Sequence, residues 1–295
     1  MTEEISDTIN AIWSGLGAEG YLYVEDLETR NWIGIRESSR IPLASVAKVP
    51  LIAALIQAGE RGEIDLQHRV DVDPLNSTPG GTGITVLQDT VTMSLRDLAV
   101  MSLSVSDNAA TDTIFEIVGP NRVGDLLASN KLRSLTVDSP MSHLYKVIDE
   151  IADGNEVEAL ILATDHFNTS GAPYLPDSAF NTGTARSVAR LFELIHTGEL
   201  IGPKGTATLR KLLKTQVFRH RIASGFPMDA VEYYGKTGTF LNFRHEAGIV
   251  IDADSRAAFS IAVFTRSRIA AFSQPELDAS IGYCARLAVE HLRSW

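Results

Sequence analysis

A change of hydrophobic period along the chain most constrains its fold. Strand-like stretches at 21–26 and 31–36, and again at 231–236, 246–252 and 258–265, enclose a long section, from about 44 to about 198, whose apolar residues recur with helical spacing. Strands at both ends with helices between them predict one sheet built from both termini and a helical subdomain inserted between its halves. The expected division is a discontinuous α/β sheet unit, 1–43 and 199–295, and a helical unit, 44–198, with the functional site at their seam.

Within the middle section the clearest helices fall near 45–60, 94–103, 109–118, 121–129, 141–163 and 184–197. Val188, Leu191, Phe192 and Ile195 have the spacing of one core face, and Gly198 stops that helix. Further helices are expected over 5–14, 205–214 and 276–293, the first with Ile5, Ile9, Ile12 and Trp13 on one side.

Composition narrows the function classes. With 44% hydrophobic and 21% charged residues among 295, the chain has the make-up of a soluble globular protein with a sizeable core. A net charge of −11 argues against nucleic acid or an anionic membrane as a partner and leaves a small molecule. No apolar run approaches the roughly 18 residues that span a bilayer. Cys284 is the only cysteine, so neither an intramolecular disulfide nor a cysteine-based zinc site is available, and its apolar setting fits a buried small hydrophobe. No metal or cofactor is expected. The acidic start Met1-Thr2-Glu3-Glu4-Ile5 has no basic region followed by an apolar stretch, which predicts a cytoplasmic location for the chain as written, and a periplasmic or secreted one for a chain trimmed of a leader.

Three short words carry the chemistry. In Ser45-Val46-Ala47-Lys48 the hydroxyl and the amine lie three residues apart, on one side of a helical turn. A lysine whose pKa is lowered by burial and a neighbouring cation can take the serine proton, and backbone N–H groups of a first helical turn can receive an oxyanion. Pro50 is accommodated most simply if the helix begins at or just before Ser45, which leaves the proline near the first turn.

Ser106-Asp107-Asn108 falls between two helical patterns, where Ser106 can pass a proton to a leaving nitrogen, Asn108 can donate to a substrate carbonyl, and Asp107 can brace the loop. Lys236-Thr237-Gly238-Thr239 follows a strand-like run. There Lys236 can hold Ser106, Thr237 and Thr239 can bind a carboxylate, and the Thr239 N–H can complete an oxyanion hole with that of Ser45. Each word alone also fits a plain role: an N-capping serine with a solvated lysine, a polar interhelical turn, an exposed lysine on an edge strand. Their joint occurrence in this order favours the chemical role.

The three words, with Ile41-Pro42-Leu43-Ala44 before the first, Ser94-Leu95-Arg96-Asp97-Leu98 before the second, and Thr197-Gly198-Glu199-Leu200 closing a helix, resemble those of the active-site serine penicillin-recognising superfamily. Over nearly its whole length the chain looks like a class A β-lactamase-like serine hydrolase. The resemblance implies an α+β, β-lactamase/transpeptidase-like fold, with an antiparallel sheet flanked by terminal helices and an inserted all-helical domain. It also implies Ser45 as the acylated nucleophile, Lys48 as its activator, Ser106 as proton relay with Lys236 beside it, and Asn108, Thr237 and Thr239 as substrate contacts. Arg244 or His245 lies where the family often places a basic residue for the substrate carboxylate.

One departure stands out. The family's Glu-x-x-Leu-Asn loop, which activates the water that clears the acyl-enzyme, does not occur between Asn108 and Thr184. Candidate acids in the altered interval are Asp149, Glu150, Asp153, Glu156, Glu158, Asp165 and Asp177. The leading expectation is hydrolysis of a β-lactam or a related amide through Ser45. The alternatives are a D-alanyl peptidase or esterase using the same serine, and a non-catalytic β-lactam-binding sensor.

Overall fold

The computed structural model describes residues 2–171, 181–227 and 230–293. Five strands, β1 (Ala18–Asp26), β2 (Trp32–Ile35), β7 (Val231–Phe240), β8 (Phe243–Asp252) and β9 (Ala258–Ser267), form an antiparallel sheet in the order β2-β1-β9-β8-β7. Between them in sequence lie two short ribbons, β3 (Ile41–Pro42) with β6 (Thr182–Gly183) and β4 (Arg69–Val72) with β5 (Val91–Ser94).

Alternation of side chains along the strands gives the sheet two apolar faces. Leu22, Val24, Val250, Ile261 and Val263 pack on the terminal helices α1 (Thr2–Gly15) and α9 (Pro275–Arg293) through Ile9, Trp13, Ile281 and Val289. Tyr23, Tyr234, Ile249, Ala262 and Phe264 point the other way and share a core with the helices of the middle section. Those helices are α2 (Lys48–Glu60), α3 (Leu95–Ser104), α4 (Asn108–Ser129), α7 (Ala185–Thr197) and α8 (Pro203–Lys214), while α5 (Ser142–Ala152) and α6 (Glu156–Ser170) form a smaller apolar cluster with Ala44, Phe240 and Leu241. No helix among the described residues is long and apolar enough to cross a membrane. The chain therefore has the expected α+β architecture, with one antiparallel sheet completed by both ends of the sequence.

Local differences have local causes. The stretch 141–163, expected as one helix, is two: Asp153 (φ 46°) and Gly154 (φ 80°) take the left-handed conformation that ends α5. Asn155 then caps α6 by accepting from the Val157 and Glu158 N–H groups. Helix α6 runs on past residue 163 to Ser170, and 172–179 lie outside the described residues. The paired helices expected at 109–118 and 121–129 form one element, α4, broken at Gly119 (φ 74°, ψ 155°) ahead of Pro120.

Candidate active site

Ser45 sits in a single 3₁₀ turn, Ala44–Ala47, and α2 starts at Lys48. Residues three apart eclipse in a 3₁₀ turn, so Ser45 and Lys48 share a side. Pro50 is the third residue of α2, where a missing N–H costs the helix no hydrogen bond. The turn is held against the edge strand β7 at Gly238, where an added Cβ would lie 2.9 Å from the Leu43 carbonyl oxygen and 3.3 Å from the Val46 nitrogen. Only a residue without a side chain lets the Ser45 turn approach this strand so closely.

Ser106 occupies the bend between α3 and α4 with φ 61°, and Ala44, just before Ser45, has φ 48°. Left-handed geometry in non-glycine residues costs about 1–3 kcal/mol and persists where the surroundings impose it. Here the surroundings are two buried lysines. Lys48 Nζ donates to the Ser106 carbonyl (2.7 Å), Asn108 Oδ1 (2.7 Å) and the Asp107 carbonyl (3.3 Å), and lies 3.4 Å from Ser106 Oγ. Lys236 Nζ reaches the same Ser106 hydroxyl at 3.1 Å and the Thr237 carbonyl at 2.9 Å. Asp107 caps α4 by accepting from the Ala110 N–H (3.0 Å) and also accepts from the Ile84 N–H, so it braces the bend without facing the cleft.

Both lysines are fully buried, and burial is the main force on their protonation. It lowers Lys48 to about 7, against the opposing pull of Asp107 and Asp112. Lys236 is also held well below its usual value, by burial first and by the charge of Lys48 second. Near neutral pH the Lys48 amine is therefore available as a proton acceptor, while an anion entering the cleft would favour the charged form of Lys236.

The cleft has a volume of about 350 Å³ and is lined by Ser45, Ser106, Asn108, Thr237, Thr239 and Arg244 from the expected set. Lys48 and Lys236 lie beneath it. Thr237 is pinned from behind: its N–H (2.6 Å) and hydroxyl (3.0 Å) both donate to Gln216 Oε1. Gln216 in turn donates to the buried Glu246, whose carboxylate also accepts from the Ile222 N–H. The Thr237 N–H thus points off the outer edge of β7, and so, two residues along, does that of Thr239.

The basic residue is where the structure corrects the sequence. His245 does not line the cleft; it is buried beside Phe243 and Phe264, with its Nε2–H donating to the Pro42 carbonyl at 2.9 Å, and burial lowers its pKa to about 3. Its neighbour Arg244 does reach the cleft, but four of its N–H groups serve the carbonyls of Leu241, Phe243, Ala271 and Phe272 at 2.7–3.1 Å. The guanidinium best placed for an anion is Arg221, which no motif marks. It donates to Gly238 O (2.8 Å), His245 O (2.7 Å), Thr239 Oγ1 (2.8 Å) and Asp278 Oδ1 (2.7 Å), leaving one of its five N–H bonds uncommitted beside Thr239 in the cleft wall. The sequence signal was the basic triplet Arg219-His220-Arg221 in an acidic chain.

The altered interval contributes a tyrosine. Tyr145 of α5 lines the cleft and accepts a hydrogen bond from Asn108 Nδ2 at 3.3 Å. Asp112 anchors this helix by accepting from the Met141 (2.6 Å) and Ser142 (2.8 Å) N–H groups. Asp149, Glu150, Asp153, Glu156, Glu158 and Asp165 are all exposed and none lines the cleft, while Asp177 lies outside the described residues. Among the described residues, the one carboxylate in the lining is that of Asp278, already paired with Arg221.

Known proteins resemble this chain over nearly its whole length. Residues 4–292 match the sequence model of the β-lactamase enzyme family. The chain is 35% identical to the β-lactamase regulatory protein BlaB of Streptomyces cacaoi, over 95% of this chain and 94% of that one. It is 23% identical to β-lactamase SME-1 of Serratia marcescens, over 91% and 82%. Among solved structures, a β-lactamase from Sphaerobacter thermophilus superposes with a TM-score of 0.79 at 20% identity, covering 99% of this chain and 98% of that one. The structure of PBP-A superposes with a TM-score of 0.78 at 17% identity, covering 99% and 97%. With a family match that runs from residue 4 to residue 292 and a relative 35% identical over 95% of its length, the chain belongs to the β-lactamase enzyme family.

Proposed function

We propose that Ser45 is acylated by a β-lactam or a related amide and that release of the acyl group is the slow step. The single observation behind the first half is the Ser106 hydroxyl held between two buried lysines, one of them lowered to about 7, in the same cleft as Ser45. The neutral Lys48 amine takes the Ser45 proton as Oγ attacks the carbonyl. The N–H groups of Ser45 and Thr239 receive the oxyanion, and the proton passes through Ser106 to the nitrogen as the C–N bond breaks. Thr237, Thr239 and Arg221 hold the substrate carboxylate, and Asn108 exchanges Tyr145 for the substrate amide.

The second half rests on Tyr145 standing beside Asn108 and on the lack of an unpaired carboxylate in the described lining. Loss of a positioned general base slows a step by about 10²–10⁴. The same observation favours a second reading, a β-lactam receptor that is occupied without turnover, and the 35% identity to a regulatory protein adds weight to it. Intact-protein mass, followed after mixing with benzylpenicillin, a chromogenic cephalosporin and a p-nitrophenyl ester, tests both. A covalent adduct that appears within seconds and decays over minutes or longer, absent in Ser45→Ala, is expected. Adduct-free, rapid cephalosporin turnover refutes slow release; turnover of the ester alone indicates an esterase; adduct in Ser45→Ala refutes the nucleophile.

A further inference from the structure

On the outer side of the helical section a cavity of about 310 Å³ opens between α2, α3 and α8. Its wall is apolar: Leu55 and Ile56 from α2, Val100 from α3 and Leu212 from α8, the last two only half covered by the protein. Two exposed cations, Arg96 and Lys211, also line it and have no ion-pair partner among the described residues. The one acid in the lining, Asp97, is committed to the start of α3, where its carboxylate accepts the Ser94 hydroxyl at 2.6 Å. An apolar slot edged by two unpaired cations is unusual on a chain of net charge −11. It is complementary to a ligand with an aliphatic body and one negative end.

We propose that this cavity is a binding site for a medium-chain aliphatic carboxylate, with the chain between α2, α3 and α8 and the carboxylate at Arg96 and Lys211. The three walls have a common destination. α2 begins with Lys48, α3 ends two residues before Ser106, and α8 runs into Gln216, which holds Thr237. The Val217 N–H donates to the Ser104 carbonyl at 3.0 Å, joining the last two routes. A ligand seated here touches the three helices that lead to the parts of the cleft.

Isothermal titration calorimetry with decanoate, decanol and decyltrimethylammonium, each below its micelle concentration, tests the site without using Ser45, so its failure is distinct from failure of the acylation reading. Saturable one-site binding of decanoate is expected, about tenfold weaker in the double variant Arg96→Ala/Lys211→Ala and lost in Val100→Trp, which fills the slot. Leu212→Phe provides a second filling variant should the tryptophan prevent folding, with circular dichroism melting as the check. Decanol binding as tightly as decanoate would overturn the carboxylate end; undiminished decanoate binding in the filled variants would overturn the location. No saturable binding of decanoate would overturn the site itself.

Discussion

At the scale of single residues, the site is governed by what burial does to two amines. Lys48 has acceptors enough to hold an ammonium, yet removal from water lowers it to about 7. If its neutral form takes the Ser45 proton, the acylation rate constant rises about tenfold per pH unit below that value and levels off above it. Stopped-flow acylation by benzylpenicillin across the neutral range measures this; a profile flat from pH 5 to 8 excludes Lys48 as the base. Most of this machinery was legible in the sequence because it consists of short words, each spanning a single turn or a single strand. Arg221 showed only as part of a basic triplet with no motif to give it a role, and Tyr145 was not legible. Each enters the cleft only because distant elements, α9 for the first and Asp112 for the second, fix where its backbone runs.

At the scale of elements, the Ser45 turn and β7 are registered against one another by a glycine. Gly238→Ala places a methyl 2.9 Å from the backbone oxygen of Leu43, an atom that no side-chain rotation can move aside. The turn must shift, and a displacement approaching 1 Å at a reacting atom costs on the order of 10² in rate. Acylation about a hundredfold slower, with a loss of about 1–3 kcal/mol in stability, is expected from stopped-flow and thermal melting. Wild-type acylation in this variant would show that the contact is slack. The strands and most helices could be read from hydrophobic period, whereas the break between α5 and α6 could not. Apolar spacing continues across it, and the turn residues Asp153-Gly154-Asn155 had to outweigh that spacing.

At the scale of the whole molecule, the far side of the sheet supports the cleft. Residues 221–225 lie directly on α9, so closely that a Cβ on Gly282 would stand 2.1 Å from the Arg221 carbonyl oxygen and 2.7 Å from the Gly225 nitrogen. Asp278, one turn earlier on α9, pairs with the Arg221 guanidinium. Gly282→Ala should therefore push Arg221 out of register. The concentration of benzylpenicillin giving half-maximal acylation rises severalfold, while an uncharged p-nitrophenyl ester, which has no carboxylate to lose, is little affected. Equal loss with both substrates would mean that α9 contributes rigidity alone.

Pairing of β1 with β9, from Ala18 opposite Ser267 to Asp26 opposite Phe259, also sets an order of events during synthesis. A ribosome delivers Ser45, Lys48 and Ser106 long before the strand that joins the sheet's two halves. Such distant pairing folds late, since the intervening loop must be closed before any of its contacts form. A growing chain can thus carry Ser45 for most of translation while β7, β8 and β9 are still to come. On the acylation reading, chemistry at Ser45 would be a property of the finished polypeptide alone.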